Sequence, residues 1–176
     1  MAAQQSLSGK AVEAGKSLTV IQQATTKVVN RLKDIVWAIN PVENGLESFS
    51  DKIEEYALYM CTPAGFTLHM KTDTSFAGIK LSAQYKHQFF FICKEAITNA
   101  VKYSNGTSIQ ITIGHQQGEI NILIADNGKG FDIATVKRGN GISNMQKRAD
   151  EIGATLTLQS KENEGASVYL QCKITR

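Results

Sequence analysis

Apolar residues recur at alternating spacings of three and four along the first forty residues. The stripe consists of Leu18, Ile21, Thr25, Val28, Leu32, Ile35 and Ile39. This is the spacing of a and d positions in a heptad repeat, which predicts a long helix. Pro41 disfavours the helical conformation of the residue before it, so we expect the helix to end near Asn40. The stripe favours a helical bundle or dimer over packing on the chain's own domain.

The pattern changes after the proline. Residues 41–47 are expected to form a linker, and Ser48 resembles the first residue of a capping box that would begin a second helix. This helix should stop before Pro63. Residues 66–71 then alternate apolar and polar side chains, which predicts a strand with His69 on its polar face.

Helical and strand patterns alternate through the rest of the chain. Ser82 is positioned to cap a helix with a broad apolar face, and Gly153 to close a later one. The predicted elements are a helix from Ser82 to about 103, strands 108–113 and 119–125 joined by a hairpin at residues 116–118, a helix at 142–152, and strands 155–160 and 167–175. Strands that alternate in this way have one buried face, which helices can cover. We therefore predict a two-layer α/β sandwich.

A candidate site follows the strand 119–125. Asp126 ends this apolar run, and Asn127, Gly128 and Gly130 come directly after it. A carboxylate is costly to bury unless it accepts a hydrogen bond, and glycine lets the backbone approach a ligand closely. Asn-Gly between apolar runs is equally typical of a hairpin turn. Taken alone, the motif leaves a turn and a ligand site open.

A second group of polar residues lies on one side of the helix that Ser82 begins. Glu95 and Asn99 are four residues apart and therefore one turn apart, and Lys102 and Tyr103 extend the same side. Such a row is also typical of an ordinary solvated helix face. Whether this row binds a ligand depends on which residues lie opposite it in the fold.

Composition excludes only a few classes of function. The chain has 176 residues, 42% hydrophobic and 20% charged, and its net charge of +3 is too small to favour nucleic acid as a partner. The three cysteines lack the spacing of a zinc or redox site. No apolar run is long enough to cross a membrane, and no signal-like segment follows Met1. We expect a cytoplasmic protein with no membrane segment.

Three separated segments together resemble one family. Residues 94–104 resemble the N box of the GHKL ATPase superfamily, residues 126–132 its first glycine box, and residues 138–145 its second. Their order also matches. The resemblance implies a Bergerat-type ATP-binding fold in residues 48–176, preceded by a coiled-coil-like helix in residues 1–40.

Residues 34–41 look like the end of the second helix of the dimerisation and phosphotransfer hairpin in sensor histidine kinases with short ATP lids. This resemblance implies transfer of the ATP γ-phosphate to a histidine, for relay to a response regulator. It also implies a homodimer, formed through the N-terminal helix of the full protein.

The resemblance assigns roles to individual residues. Asp126 would accept a hydrogen bond from the adenine amine, and Gly128 and Gly130 would pass beside the base. Asn99 would bind Mg²⁺, which prefers oxygen ligands. Glu95 would be the N-box acid, which either polarises water or assists the incoming nucleophile.

The other residues that the resemblance assigns to ATP belong to the end of the N box and to the second glycine box. Lys102 would contact phosphate, and Met145 would pack near the base. Gly139 and Gly141 would form a mobile lid that faces the phosphates. This set is Lys102, Tyr103, Gly139, Asn140, Gly141, Ile142 and Met145.

Two features depart from the family pattern. Ala166 stands where many relatives carry a threonine near the adenine site. The histidines at positions 69, 87 and 115 all follow the long helix, and none lies in an acid-rich phosphoacceptor motif. The phosphorylated histidine is therefore expected outside this chain. Alternatives are a GHKL serine kinase of the anti-sigma factor type and a non-catalytic nucleotide-binding module that dimerises through its helix.

Overall fold

The computed structural model describes residues 2–40, 44–72, 76, 78–133 and 140–174. It divides into two units, Met1–Trp37 and Ala38–Arg176. In chain order the elements are α1 (Ala2–Ile39), α2 (Leu46–Ala64), β1 (Thr67–Thr72), α3 (Ala83–Tyr103), β2 (Ser108–Gln116), β3 (Glu119–Asp126), α4 (Asn140–Asp150), β4 (Thr155–Ser160) and β5 (Ala166–Lys173).

Helix α1 confirms the predicted long helix. It runs for 38 residues and ends at Ile39, one residue before the predicted end. The leucine, valine and isoleucine side chains described along it are 41–67% exposed, and Leu32 is among them. In the described ranges, no helix combines the length and the apolar character needed to cross a bilayer.

The five strands form one sheet in the order β1-β2-β3-β5-β4. Strand β1 pairs with β2 in parallel, and the other pairs are antiparallel. The β2–β3 connection turns through Gln117 and Gly118, whose φ values are 54° and 82°. Two consecutive positive φ angles are typical of a tight two-residue hairpin turn. The predicted hairpin at residues 116–118 is confirmed.

One face of the sheet is buried beneath α2, α3 and α4. Isoleucines at alternate positions of β2 and β3 point into this layer, together with Val168 and Leu170 of β5. The opposite face carries polar pairs: the Tyr169 hydroxyl donates to Asn121 Oδ1 at 2.6 Å, and Gln171 Nε2 donates to Glu119 Oε2 at 2.7 Å. The predicted two-layer α/β sandwich is confirmed.

The helical layer is held by aromatic and small side chains. The rings of Phe49 and Phe89 meet edge to face with centroids 6.0 Å apart, an arrangement favoured by the charge distribution of the rings. Cys61, Cys93 and Cys172 are buried free thiols. Burial raises the pKa of the Cys93 thiol to about 12.

The predicted start of α2 at Ser48 is wrong. The helix begins at Leu46, after Gly45, because the Leu46 N–H donates to the carbonyl of Ile79 and places this turn against a distant segment. The predicted 41–47 linker thus overlaps the first residues of α2, and its residues 41–43 lie outside the described ranges.

The end of α2 also differs from the prediction. The helix continues through Pro63 to Ala64 and closes at Gly65, whose φ is 73° and whose N–H reaches the carbonyls of Cys61 and Thr62. A proline in the last turn interrupts few backbone hydrogen bonds, so the helix tolerates it there.

The caps of the later helices are closer to expectation. Ser82 caps α3 as predicted, since its hydroxyl accepts from the Tyr85 N–H at 3.3 Å. Helix α4 begins at Asn140, two residues before the predicted start, and Gly153 follows it with a φ of 64°.

Candidate functional site

A cavity of about 600 Å³ opens where β3 and β4 end and β5 begins, between the sheet edge and helices α3 and α4. Residues from all three predicted motifs line it. Those predicted from the sequence that line the cavity are Glu95, Asn99, Tyr103, Asp126, Gly130, Asn140, Gly141, Ile142 and Met145.

Two predicted site residues are placed differently, and a third, Gly139, lies outside the described residues. Lys102 is exposed, and neither it nor Gly128 lines the cavity. Lys129, between the two glycines of the first box, is the lysine that does line it.

Helix α3 presents Glu95 and Asn99 to the cavity one turn apart, with Tyr103, 65% exposed, near the helix end. Neither the Glu95 carboxylate nor the Asn99 amide forms a hydrogen bond with another residue of the described ranges. Both are only partly buried. Their oxygens are therefore available to a ligand, a cation or a water molecule.

Asp126 lies at the end of β3, opposite Ala166 of β5. Its Oδ1 accepts from the Gly128 N–H at 2.9 Å. Burial raises the pKa of the Asp126 carboxyl, and hydrogen bonds from the backbone N–H groups of Gly128 and Ala166 partly oppose that rise. The carboxylate is thus an oriented acceptor beside apolar cavity residues, suited to a ligand N–H donor.

Asn127 ties the end of β3 to the loop between α3 and β2. Its Oδ1 accepts from the N–H groups of Thr107 and Ser108 at 2.8 and 2.9 Å, and its Nδ2 donates to the Thr107 hydroxyl at 2.9 Å. The two neighbours of β3 in the sheet are β2 and β5, neither of which directly follows Asn127. The hairpin interpretation of Asn127-Gly128 is therefore wrong.

Close packing within the chain explains the two glycines of this loop. A Cβ at Gly128 would overlap Ser104 at the end of α3. Gly130 has a φ of +56°, and a Cβ there would overlap the carbonyl of Lys161. Side chains at either position would push the loop away from its supports and disturb Asp126.

Helix α4 closes another side of the cavity. Gly141 faces Glu95 so closely that a Cβ at this position would overlap Glu95 Oε1. Met145, one turn further along α4, is 2% exposed and also lines the cavity. The helix therefore contributes both its first turn and a buried side chain.

Sequence reasoning missed the apolar residues that the strands contribute to the cavity. Ile124, Leu158 and Val168 have the same alternating pattern as the core residues of their strands, so no sequence signal separates them. Phe131 and Lys129 lie inside the first glycine-box motif, so their position beside Gly130 could have identified them as lining residues.

A family model described as "Histidine kinase-, DNA gyrase B-, and HSP90-like ATPase" matches residues 85–176, more than half of the chain. The chain belongs to this family. Every residue of the cavity lining falls within the matched segment. The superfamily resemblance expected from the three motifs is confirmed.

Curated relatives include the sensor protein VraS of Staphylococcus haemolyticus, 32% identical over 108 residues, and that of Staphylococcus epidermidis, 34% identical over 108 residues. Each match covers 61% of this chain and 31% of the relative. The matched segment thus spans about a third of the length of these sensor proteins.

Solved structures with the same fold include the histidine kinase domain of a blue-light activated histidine kinase from Erythrobacter litoralis, with a TM-score of 0.63 and 13% identity. That match covers 77% of this chain and 64% of the other. Full-length ShkA in complex with AMPPNP has a TM-score of 0.65 at 14% identity, covering 88% of this chain and 37% of ShkA.

Proposed function

We propose that the cavity binds Mg²⁺-ATP and that residues 48–176 form the catalytic domain of a sensor histidine kinase. The observation that carries the proposal is that three motifs, separated in sequence, line one cavity: Glu95 and Asn99 from α3, Asp126 from β3, and Gly141 and Met145 from α4. The reaction would transfer the γ-phosphate to a histidine that this chain does not supply.

Adenine would lie against the apolar lining, with its exocyclic amine donating to Asp126. Guanine carries a carbonyl at the equivalent position, so the same carboxylate would repel it. The N–H groups of Gly128 and Ala166 hold the carboxylate in place. Ala166 lacks the threonine hydroxyl of many relatives, so Asp126 would supply most of the selectivity for adenine.

The phosphates would lie between α3 and the first turn of α4. N–H groups at a helix start favour anions, and Lys129 adds a positive charge to the lining. Mg²⁺ keeps several waters and phosphate oxygens as ligands and needs few from the protein. The Asn99 amide oxygen fits this demand.

Glu95 would act on the nucleophile. Beside the phosphates, its carboxylate would orient the imidazole of the incoming histidine or accept its proton. Phosphoryl transfer depends mainly on positioning and charge neutralisation. The larger share of catalysis would therefore come from Asn99, the bound cation and the N–H groups of the first turn of α4.

The partners are part of the proposal. Residues 1–40 would be the second helix of a dimerisation and phosphotransfer bundle, and the exposed apolar stripe of α1 would be covered by helices of that bundle in a homodimer. The segment between α1 and α2 would be the linker to the catalytic domain. A response regulator would receive the phosphate, and the protein would work in the cytoplasm. The names of the sensor-protein relatives support this assignment.

Calorimetry with AMPPNP, with and without Mg²⁺, tests the proposal. We expect Mg²⁺-dependent binding by the wild type and loss of binding in Asp126→Asn, because the amide would present a donor to the adenine amine. Absence of binding by the wild type, or unchanged binding by Asp126→Asn, would refute it.

A second assay distinguishes the type of kinase. A histidine-bearing dimerisation hairpin supplied in trans should become phosphorylated on histidine. Phosphoserine on a partner protein would instead indicate the anti-sigma factor type of kinase. Nucleotide binding without any transfer would indicate a non-catalytic module.

A further inference from the structure

A cluster of side chains outside the cavity joins α4 to α3. Arg148 Nη1 donates to Gln88 Oε1 at 2.7 Å, and the guanidinium carbon lies 4.8 Å from the centroid of the Phe91 ring. Gln88 Nε2 in turn donates to Glu151 Oε2 at 2.5 Å. We call Arg148, Gln88, Phe91 and Glu151 the Arg148 cluster. None of the four lines the cavity.

The cluster is partly buried. Gln88 is 8% exposed, Arg148 and Phe91 are partly buried, and Glu151 lies at the exposed side. Hydrogen bonds to a charged group gain strength where water is excluded, and a guanidinium over an aromatic ring adds attraction. The cluster is therefore a firm connection between the two helices.

The Arg148 cluster and the cavity lie at opposite ends of α4. Gln88 contacts Arg148, whereas Glu95 contacts Gly141. Seven residues separate the contact points on α3 (95 − 88) and seven on α4 (148 − 141), in opposite directions along the chain. Seven residues are two helical turns, or about 10 Å.

Helix α4 has few other buried supports. Within its eleven residues only Met145 and Ala149 are buried. A tilt or slide of α4 about these two residues would move its first turn relative to Glu95 and Asn99. The Arg148 cluster opposes such a movement because it fixes the far end of the helix.

We infer that Arg148 is a positioning residue for nucleotide binding: through Gln88 and Phe91 it holds the first turn of α4 where that turn meets the phosphates of the nucleotide. The inference rests on the proposed function. Arg148 itself touches no nucleotide. Its loss should weaken ligands that carry phosphates and spare ligands that lack them, whereas a purely structural role would affect both alike.

The test compares AMPPNP with Mg²⁺, by calorimetry, and adenosine, by NMR titration. Arg148→Met removes the guanidinium but keeps an apolar stem over Phe91, and Gln88→Met removes the acceptor. We expect each variant to bind AMPPNP about three- to tenfold more weakly, and adenosine with its affinity changed less than about twofold. The double variant should lose less affinity than the two single losses combined, because the two residues share the Arg148–Gln88 contact.

The matched control is Gln146→Met. It removes the hydrogen bond from Gln146 Nε2 to Asp150 Oδ1, at 2.9 Å on the exposed side of the same helix, and should change neither affinity. Should Arg148→Met fold poorly, Gln88→Met carries the test, since it leaves Arg148 intact.

Three results would overturn the inference while wild-type AMPPNP binding stands: equal weakening of both ligands, no weakening of either, or additive losses in the double variant. If the wild type bound no AMPPNP, the proposed function would fail first, and the inference with it. The two failures are thus distinguishable.

Discussion

Glu95 of α3 and Gly141 of α4 approach each other so closely that a Cβ at position 141 would overlap the Glu95 carboxylate. Gly141→Ala should therefore turn Glu95 away from its place beside the phosphates. A small misplacement of a catalytic group costs much rate, so we expect phosphotransfer to a supplied histidine hairpin to fall about 10- to 100-fold. AMPPNP affinity should change much less.

Gly114→Ala is the matched control for this substitution, because no atom lies within 4 Å of a Cβ at that position. Its transfer rate should equal that of the wild type. Equal rates for Gly141→Ala and Gly114→Ala would contradict the assigned role of Glu95.

The partly buried position of Asp126 predicts a dependence of stability on pH. Burial raises the pKa of this carboxyl above its ordinary value, so the folded protein holds the proton more tightly than the unfolded chain. The cost of ionisation is absent below the unfolded pKa, near 3.9, grows as the pH rises through the folded pKa, and is complete above it. Asp126→Asn removes this cost.

Thermal melts of the ligand-free protein at several pH values measure the effect. The melting temperature of Asp126→Asn relative to the wild type should increase as the pH rises from about 4 to 7, although the variant no longer binds AMPPNP. A constant difference across this range would show that Asp126 ionises without penalty.

Asn127 is expected to contribute to stability more than to nucleotide binding, in contrast to Asp126. Asn127→Ala removes three hydrogen bonds to Thr107 and Ser108 and should lower the free energy of unfolding by about 1–2 kcal/mol, a modest sum because the site is exposed. Urea denaturation measures this loss. AMPPNP affinity should fall less than in Asp126→Asn, and a larger fall would assign Asn127 to the ligand.

The proposed role of Asn99 as a cation ligand can be tested separately from binding of the adenine base. Asn99→Ala should weaken AMPPNP binding in the presence of Mg²⁺ by about tenfold, equivalent to 1.4 kcal/mol, and leave adenosine binding unchanged. Gln110→Ala, on the exposed face of β2, is the control. If Asn99→Ala weakened binding equally with and without Mg²⁺, the metal role would be excluded.

The apolar stripe of α1 predicts self-association. Leu32 is 56% exposed, and Leu32→Glu places a charge within the surface that a partner helix would bury. Sedimentation should show a dimer for the wild type and a monomer for this variant, whereas Lys33→Glu, beside the stripe, should remain dimeric. A monomeric wild type would refute the dimer prediction.

Local sequence patterns predicted most of the fold. The Ser82 cap, the turn at residues 116–118 and the end of α1 follow from short-range chemistry. The start of α2 does not, because the carbonyl of Ile79 sets it from a distance. The insertion of β5 between β3 and β4 is likewise a long-range pairing that alternation alone does not reveal.

Most of the polar residues that line the cavity were predicted from the sequence, whereas the apolar residues that its strands contribute were not. Asp126, Asn99 and Glu95 stand out because carboxylates and amides interrupt apolar patterns. Leu158 and Val168 continue such patterns, so only the fold shows that they border a cavity. The partner of Arg148 could not be predicted either, since Gln88 lies sixty residues away along the chain.

The three buried thiols give the protein its own reporters of local opening. A thiol reacts as the thiolate, and burial raises the pKa of Cys61, Cys93 and Cys172, so alkylation requires exposure of the residue to solvent. One thiol lies in α2, one in α3 and one in β5. The three alkylation rates therefore measure how often α2, α3 and β5 each open to solvent, and no introduced label is needed. Repeating the measurement with bound nucleotide shows how far the ligand slows each opening.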